Sequence, residues 1–339
     1  MKTRNYSIDI FRYVCAVMVV AIHTRPFSDL NEEIGFIFTQ IVPRIAVPFF
    51  FCVAGYYYIP KLEKGYKSFS VYIKRLIITY STWSCFYYII DFLQYGYLDV
   101  KGFISRSLYK FAISGSYYHF WFFPALIFAV CFTTFLFKIG YKKVIIPLSI
   151  VLYCIGCLGC SYYKLGICIP GLRTVFTFSG FNVIRRVLCM GFPFFLCGYL
   201  VYKIKEKVFA YTTNIKLFVI WIISVGVWLT EICLVLVLKL ESNIVITIGL
   251  YLLCVMTMLI LLRNQLSKYK AFSNISRILA NFTYYSHPFW IIFITFLCNN
   301  IFHVNITETP IFFLAIGLSC IVGILLYRWD NRVMNHIIK

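Results

Sequence analysis

Apolar residues fall into long runs with short polar connections between them. A helix needs about 20 largely apolar residues to cross a bilayer. Ten runs meet that length: 9–26, 43–60, 72–93, 119–138, 143–161, 186–203, 215–238, 243–262, 284–302 and 310–328. No long soluble stretch, low-complexity tract or internal repeat separates them. The longest connections, 94–118 and 162–185, are rich in Gly, Ser and Tyr and lightly charged. The pattern predicts an all-α fold: a polytopic transmembrane helical bundle of about ten helices, in one domain spanning 1–339.

Basic residues orient the bundle, because cytoplasmic loops carry the excess of Lys and Arg. With the N-terminus inside, the cytoplasmic segments hold 21 of the 32 basic residues, from Lys2 and Arg4 through the clusters at 61–75, 203–216 and 263–277 to Arg332 and Lys339. The outer segments hold ten, and Arg12 lies within the first run. An even number of spans then places both termini in the cytoplasm. The N-terminal stretch mimics a signal peptide, but Arg12 interrupts its apolar run and no small-x-small cleavage site follows at Thr24–Pro26. It reads as an uncleaved first helix.

Composition agrees. The chain is 61% hydrophobic and 13% charged, far from the roughly 25% charge of soluble domains. Its 35 Phe and 27 Tyr suit wide lipid and interfacial surfaces. A net charge of +20 raises nucleic acid as a partner. The charges, however, lie in short clusters between apolar runs, so the expected partner is the lipid bilayer of an inner or plasma membrane and not nucleic acid. Most of the 14 cysteines fall inside apolar runs, where free Cys packs as a small hydrophobe. Cys154, Cys157 and Cys160 form a CxxCxxC run, but without a fourth ligand at suitable spacing they read as packing. No metal is expected.

Ionisable residues inside a bilayer cost several kcal/mol and so mark function by default. The first run carries Asp9, Arg12 and His23. Eleven helical steps separate Arg12 from His23, which puts them on one face roughly 16 Å apart along the axis. Asp9, three residues before Arg12, is spaced to pair with it. Glu231 sits in the seventh run without a local counter-charge. His119 and Trp121 open the fourth run, and His287 stands before a Pro in the ninth. Lys74 and Arg75 sit at the entry to the third. Each has a plainer alternative: interfacial anchoring for Asp9, Arg12, His23, Lys74, Arg75 and Trp121, a snorkelling carboxyl for Glu231, and capping or packing for His287.

The stretch DIFRYVCAVMVVAIHT resembles the first helix of the acyltransferase-3 family of membrane O-acyltransferases, whose hallmark is Arg, ten residues, then His; Arg12 and His23 match it. RIAVPFFFCVAGYY is similar to that family's second helix, with Arg44, Pro48 and Gly55 in register. YIKRL resembles its Arg-rich cytoplasmic motif, thinned here to Lys74–Arg75. HFWFFPAL and YYSHPFW resemble two further segments, carrying His119, Trp121 and His287. The likeness runs along essentially the whole chain. One branch, the membrane half of membrane-bound serine racemases from vancomycin-resistance clusters, shares AIHTRPF and MGFPFFLCGYLV; it is associated with L-serine import and precedes a racemase domain.

The resemblance implies transfer of an acyl group, usually acetyl, from cytoplasmic acetyl-CoA to a hydroxyl of an outward-facing or lipid-linked glycan, as in polysaccharide O-acetylation. It implies no tightly bound cofactor, with acetyl-CoA as the donor substrate. His23 then serves as general base and Arg12, held by Asp9, meets the donor's anionic groups or the charge on the thioester oxygen. Arg44, Lys74, Arg75, His119, Trp121, Glu231 and His287 are candidates for binding donor or acceptor. A permease for a small polar solute such as serine is the alternative, since buried Arg, His and Glu suit a zwitterion path.

Overall fold

The computed structural model describes residues 5–95 and 99–329. The expected basic anchors Lys2, Arg4, Arg332 and Lys339, and with them both chain ends, lie outside the described residues. Among the described residues the chain is predominantly helical and contains no strand. The principal helices are α1 (Tyr6–Thr24), α2 (Ala46–Glu63), α3 (Lys67–Tyr95), α4 (Val100–Tyr109), α5 (Phe122–Lys138), α6 (Ile145–Leu158), α7 (Phe192–Tyr211), α8 (Asn214–Val237), α9 (Ile248–Arg263), α10 (Lys270–Phe296) and α11 (Glu308–Trp329). All ten expected runs fall on helices, and α4 lies in the 94–118 connection.

Among the described residues, six helical stretches are individually long and apolar enough to cross a membrane: 6–24, 32–63, 67–94, 181–211, 214–237 and 308–328. The helices α9 and α10 pass the same test only as a pair, and α5 and α6 are shorter apolar helices of 17 and 14 residues. The chain is therefore a multi-pass membrane protein. Among the described residues, four π-helical turns, each with room for one extra residue per turn, interrupt or extend these helices at Ile37–Ile41, Lys110–Ser114, Arg185–Gly191 and Leu297–Ile301.

The chain divides into two compact units, 1–50 with 260–339, and 51–259. In the first, α1 packs along α10, and α11 packs on both. Asn5 caps α1 by accepting from the Ile8 amide at 3.0 Å, and its amide group donates to the Leu261 carbonyl at 3.0 Å. That tie fastens the start of α1 to the last turn of α9. Val20, Ala21, Ile294, Phe312 and Ala315 form a buried apolar cluster among the three helices. Contacts run in rising order along α1 and α10 (Asp9 to Ser273, Arg12 to Asn281, His23 to His287), so the two helices point the same way. A parallel pair requires an odd number of crossings between them, and seven of the expected spans lie there.

One expectation about α10 needs adjustment. The apolar run begins near residue 284, yet the helix begins at Lys270. Its first half is amphipathic: Ser273, Ser276, Ile278, Leu279, Ala280 and Phe282 are buried, while Lys270, Ala271 and Phe272 are exposed. Hydropathy alone misses a segment whose buried positions include small polar residues.

In the second unit, α2 and α7 meet backbone to backbone. A Cβ on Gly55 would lie 1.7 Å from the Phe195 carbonyl oxygen, and one on Gly198 would lie 2.0 Å from that of Cys52. Small residues let membrane helices approach this closely, which favours van der Waals packing where no hydrophobic force separates helix from lipid. Tyr58 and Thr134 share a buried hydrogen bond of 2.8 Å, and Tyr153 donates to the Thr247 carbonyl at 2.6 Å.

Candidate functional site

The first unit gathers most of the expected catalytic groups on one seam. Arg12 and His23 both face α10, as their eleven-residue spacing predicts. Arg12 donates from Nη2 to Asn281 Oδ1 at 2.8 Å. Asp9 is buried and accepts from Ser273 Oγ at 3.4 Å. Asp9 and Arg12 thus each meet a partner on α10, which sequence spacing along α1 has no means to reveal.

At the other end of the seam, the rings of His23 and His287 stack with centroids 5.4 Å apart and planes inclined by 20°. His287 is fully buried. Its Nδ1 lies 3.1 Å from the Thr283 carbonyl oxygen and 2.9 Å from that of Tyr284. Carbonyl oxygens only accept, so Nδ1 carries the ring proton and the lone pair of the neutral ring resides on Nε2. The Pro288 that follows disrupts the ordinary ladder here, because it has no N–H for the Tyr284 carbonyl. That carbonyl is therefore available to the imidazole. Arg44, in the same unit, is held by Gln40, donating from Nε to its backbone carbonyl at 2.9 Å and from Nη2 to its side-chain oxygen.

The remaining candidates lie in the second unit. Lys74 and Arg75 are exposed on α3, as expected of anchors or of a docking point for an anion. His119 is 2% exposed and enclosed by Tyr87, Tyr117, Tyr118 and Phe120. Trp121 lies under the Arg186 guanidinium, 5.4 Å from its ring centroid.

Glu231 has a role the sequence does not announce. It accepts from Tyr162 Oη at 2.6 Å and from the amides of Ile248 and Gly249 at 2.7 and 2.5 Å. Those amides open α9, where the first N–H groups lack helical partners and the helix dipole favours a negative charge. Glu231 is a remote cap for α9. It was a candidate for binding acceptor because its run holds no counter-charge; the compensation comes instead from a helix end 17 residues on.

A second unexpected grouping is sulfur. Cys52, Cys197 and Cys254 are fully buried, with their sulfur atoms within 4.8 Å of one another. Three such thiols can ligate a soft metal ion, and they equally pack as small apolar groups. They come from three distant runs, so no spacing motif marks them, whereas the conspicuous CxxCxxC run has Cys154 exposed and Cys157 and Cys160 buried.

Comparison with known proteins bears on this arrangement. An amino-acid racemase of Enterococcus faecalis is 30% identical over 232 residues, covering 66% of this chain and 33% of its own. A second amino-acid racemase of that organism is 35% identical over 164 residues, 48% of this chain and 23% of its own. A serine/alanine racemase of Enterococcus gallinarum is 32% identical over 214 residues, 60% of this chain and 30% of its own. The chain thus spans a third or less of each of these relatives. No solved structure gives a significant match. The acyltransferase domain family matches residues 5–328, a stretch that takes in every helix from α1 to α11 and both histidines of the seam. The chain belongs to the acyltransferase-3 family.

Proposed function

We propose that this protein transfers an acyl group, acetyl in the first instance, from cytoplasmic acyl-CoA to a hydroxyl of an extracytoplasmic or lipid-linked glycan. The observation that carries the reading is the stacked His23–His287 pair on the same α1 face as Arg12. In the reaction the acceptor hydroxyl oxygen attacks the thioester carbonyl carbon, the C–S bond breaks, and CoA leaves as the thiol. His23 takes the hydroxyl proton as the new C–O bond forms, and the departing thiolate is protonated in turn. Arg12, its guanidinium oriented by Asn281, meets negative charge on the donor or on the thioester oxygen. His287 acts through His23: its ring is fixed by two carbonyls and fixes the plane against which His23 rests.

The test is turnover of labelled acetyl-CoA by purified protein in lipid. The His23→Gln variant keeps polarity and approximate size but not a neutral-pH base, and it should lose about 10²–10⁴ in rate while reaching the membrane at wild-type level. Near-wild-type turnover in that variant places the base elsewhere.

A second reading has specific support in the names of the relatives, which act on amino acids. In it the membrane helices pass a small amino acid such as serine, and Arg12 and the histidines line its path. Uptake of labelled serine into proteoliposomes, with no label transfer from acetyl-CoA, is the result that selects it.

A further inference from the structure

A cavity of about 580 Å³ opens in the second unit. Its size falls within the roughly 300–1,000 Å³ typical of small-molecule sites, several times what a single amino acid such as serine fills. Arg106, Lys110 and Arg186 line it, and Asp91 is the one carboxylate among its lining residues. Tyr117 and Tyr118 supply aromatic faces with hydroxyl tips, and Ser114 and Ser116 supply further polar groups. That is the composition of a site for an anion carried on a polyol: cations for the charge, rings for a sugar face, hydroxyls for its edges.

The walls are built rigidly. Tyr80 Oη donates to the Phe111 carbonyl and accepts from the Ser116 amide, both at 2.9 Å. Ser84 donates to Ser116 Oγ at 2.7 Å, and Tyr88 donates to the Ser107 carbonyl at 2.7 Å. Tyr87 stacks on Tyr117 with centroids 4.4 Å apart. Between these ties the chain turns at Gly115, where φ is 95° and a Cβ would lie 2.3 Å from the Trp121 amide nitrogen, so only glycine fits. Two of the three cations, Lys110 and Arg186, stand on π-helical turns, an irregularity that recurs at functional sites because it re-aims side chains. Arg186 is half-buried and held over Trp121. Arg106 pairs with Asp99 at 3.3 Å, but both are largely exposed, so that pair is weak and readily exchanged.

We propose that this cavity binds the anionic group, phosphate or carboxylate, of a sugar-containing acceptor. The assignment to an acceptor rests on the acyl-transfer reading above. Its lining residues belong to the connection 94–118, with Asp91 and Arg186 at helix ends beside the connections, and this side faces outward in the orientation set by the basic residues. An acceptor presented from outside meets this cavity without crossing the bilayer.

The experiment is calorimetric titration of the full chain in lipid nanodiscs with four probes: glucose 1-phosphate, glucuronate, farnesyl phosphate and neutral glucose, with empty nanodiscs as the blank. The charged probes should bind, glucose should not, and binding should weaken as salt rises. The variants R106Q and K110Q alter exposed side chains and should fold normally, each losing about tenfold or more in affinity for glucose 1-phosphate. R186K keeps the charge and should retain binding that R186Q loses. Farnesyl phosphate binding more tightly than glucose 1-phosphate assigns a lipid-linked headgroup; equal affinity assigns a soluble anion. Charged probes that bind no better than glucose, or R106Q and K110Q proteins that bind like wild type, overturn the proposal. Every titration omits acyl-CoA, so the two readings fail separately. Label transfer with no anion binding sinks the cavity, and anion binding with no label transfer sinks the acyl-transfer reading.

Discussion

Removing the Glu231 carboxylate tests whether this buried-run acid is a structural cap or part of a substrate path. It accepts three hydrogen bonds, from Tyr162, Ile248 and Gly249. Hydrogen bonds to a charged group contribute about 1.5–3 kcal/mol each, and a carboxylate at a helix N-terminus adds roughly 0.3–1 kcal/mol. Glu231 is half-exposed, so water recovers part of what is lost and the sum falls well below the arithmetic total. Glu231→Ala should destabilise the fold by about 2–4 kcal/mol, on the order of 5–10 °C in the thermal midpoint. Glu231→Gln should recover only part of this, since its NH₂ group faces an amide donor where an acceptor is required. The assay is thermal unfolding in detergent, followed by fluorescence, beside acetyl transfer at a temperature where every variant is folded. A cap lowers the midpoint and leaves the transfer rate of the folded fraction unchanged. An unchanged midpoint with lost turnover refutes the capping argument and returns Glu231 to the substrate path.

Gly55→Ala drives a methyl group into the Phe195 carbonyl, and overpacking of this kind costs about 1–3 kcal/mol or more; folded yield in membranes should fall sharply, and wild-type yield would mean that α2 and α7 separate freely. Hydrogen bonds from Thr307 and Thr309 hold the Asp29 carboxyl below its usual range. Its contribution is therefore complete above about pH 4, the unfolded value, and is lost as pH falls through the lower folded value. Pepsin cleavage near Phe27 and Leu30 should approach the rate of the Asp29→Asn variant as acidity rises, and a constant ratio between the two proteins contradicts the assignment. Arg12→Lys keeps the charge but loses the planar fork toward Asn281, so acetyl-CoA affinity should drop at constant protein level; unchanged affinity makes Arg12 an anchor. Single cysteines introduced as Lys64→Cys and Leu30→Cys into a cysteine-depleted chain should be protected and labelled, respectively, by an impermeant reagent in intact cells, and the reverse pattern inverts the orientation.

The helical runs were legible because lipid imposes length and hydropathy on each span separately. Each of the ten runs fell on a helix, and the largest boundary error lies in α10, where Ser273, Ser276 and Asn281 look like loop residues until α1 is placed beside them. The Arg12–His23 face was legible for a similar reason, since helical periodicity is local. Pairings between distant elements were not. His287 meets His23 from 264 positions away, Glu231 meets the start of a helix beyond its own, and Cys52, Cys197 and Cys254 converge from three runs. The cavity lined by Arg106, Lys110 and Arg186 was equally hidden, because two of its cations lie in the 94–118 connection and the third opens a distant apolar run.

The parallel pairing of α1 with α10 also sets an order of events during synthesis. Asn281, the partner of Arg12, is added 269 residues later. At about 5–20 residues per second, α1 waits roughly 13–54 s before α10 exists. Throughout that interval its Asp9, Arg12 and His23 face lipid or the insertion machinery without their mates, at a cost of about 2.5–3.5 kcal/mol for each charge carried to mid-bilayer. The contact between Arg12 and Asn281 therefore forms only after every helix between α1 and α10 has been made.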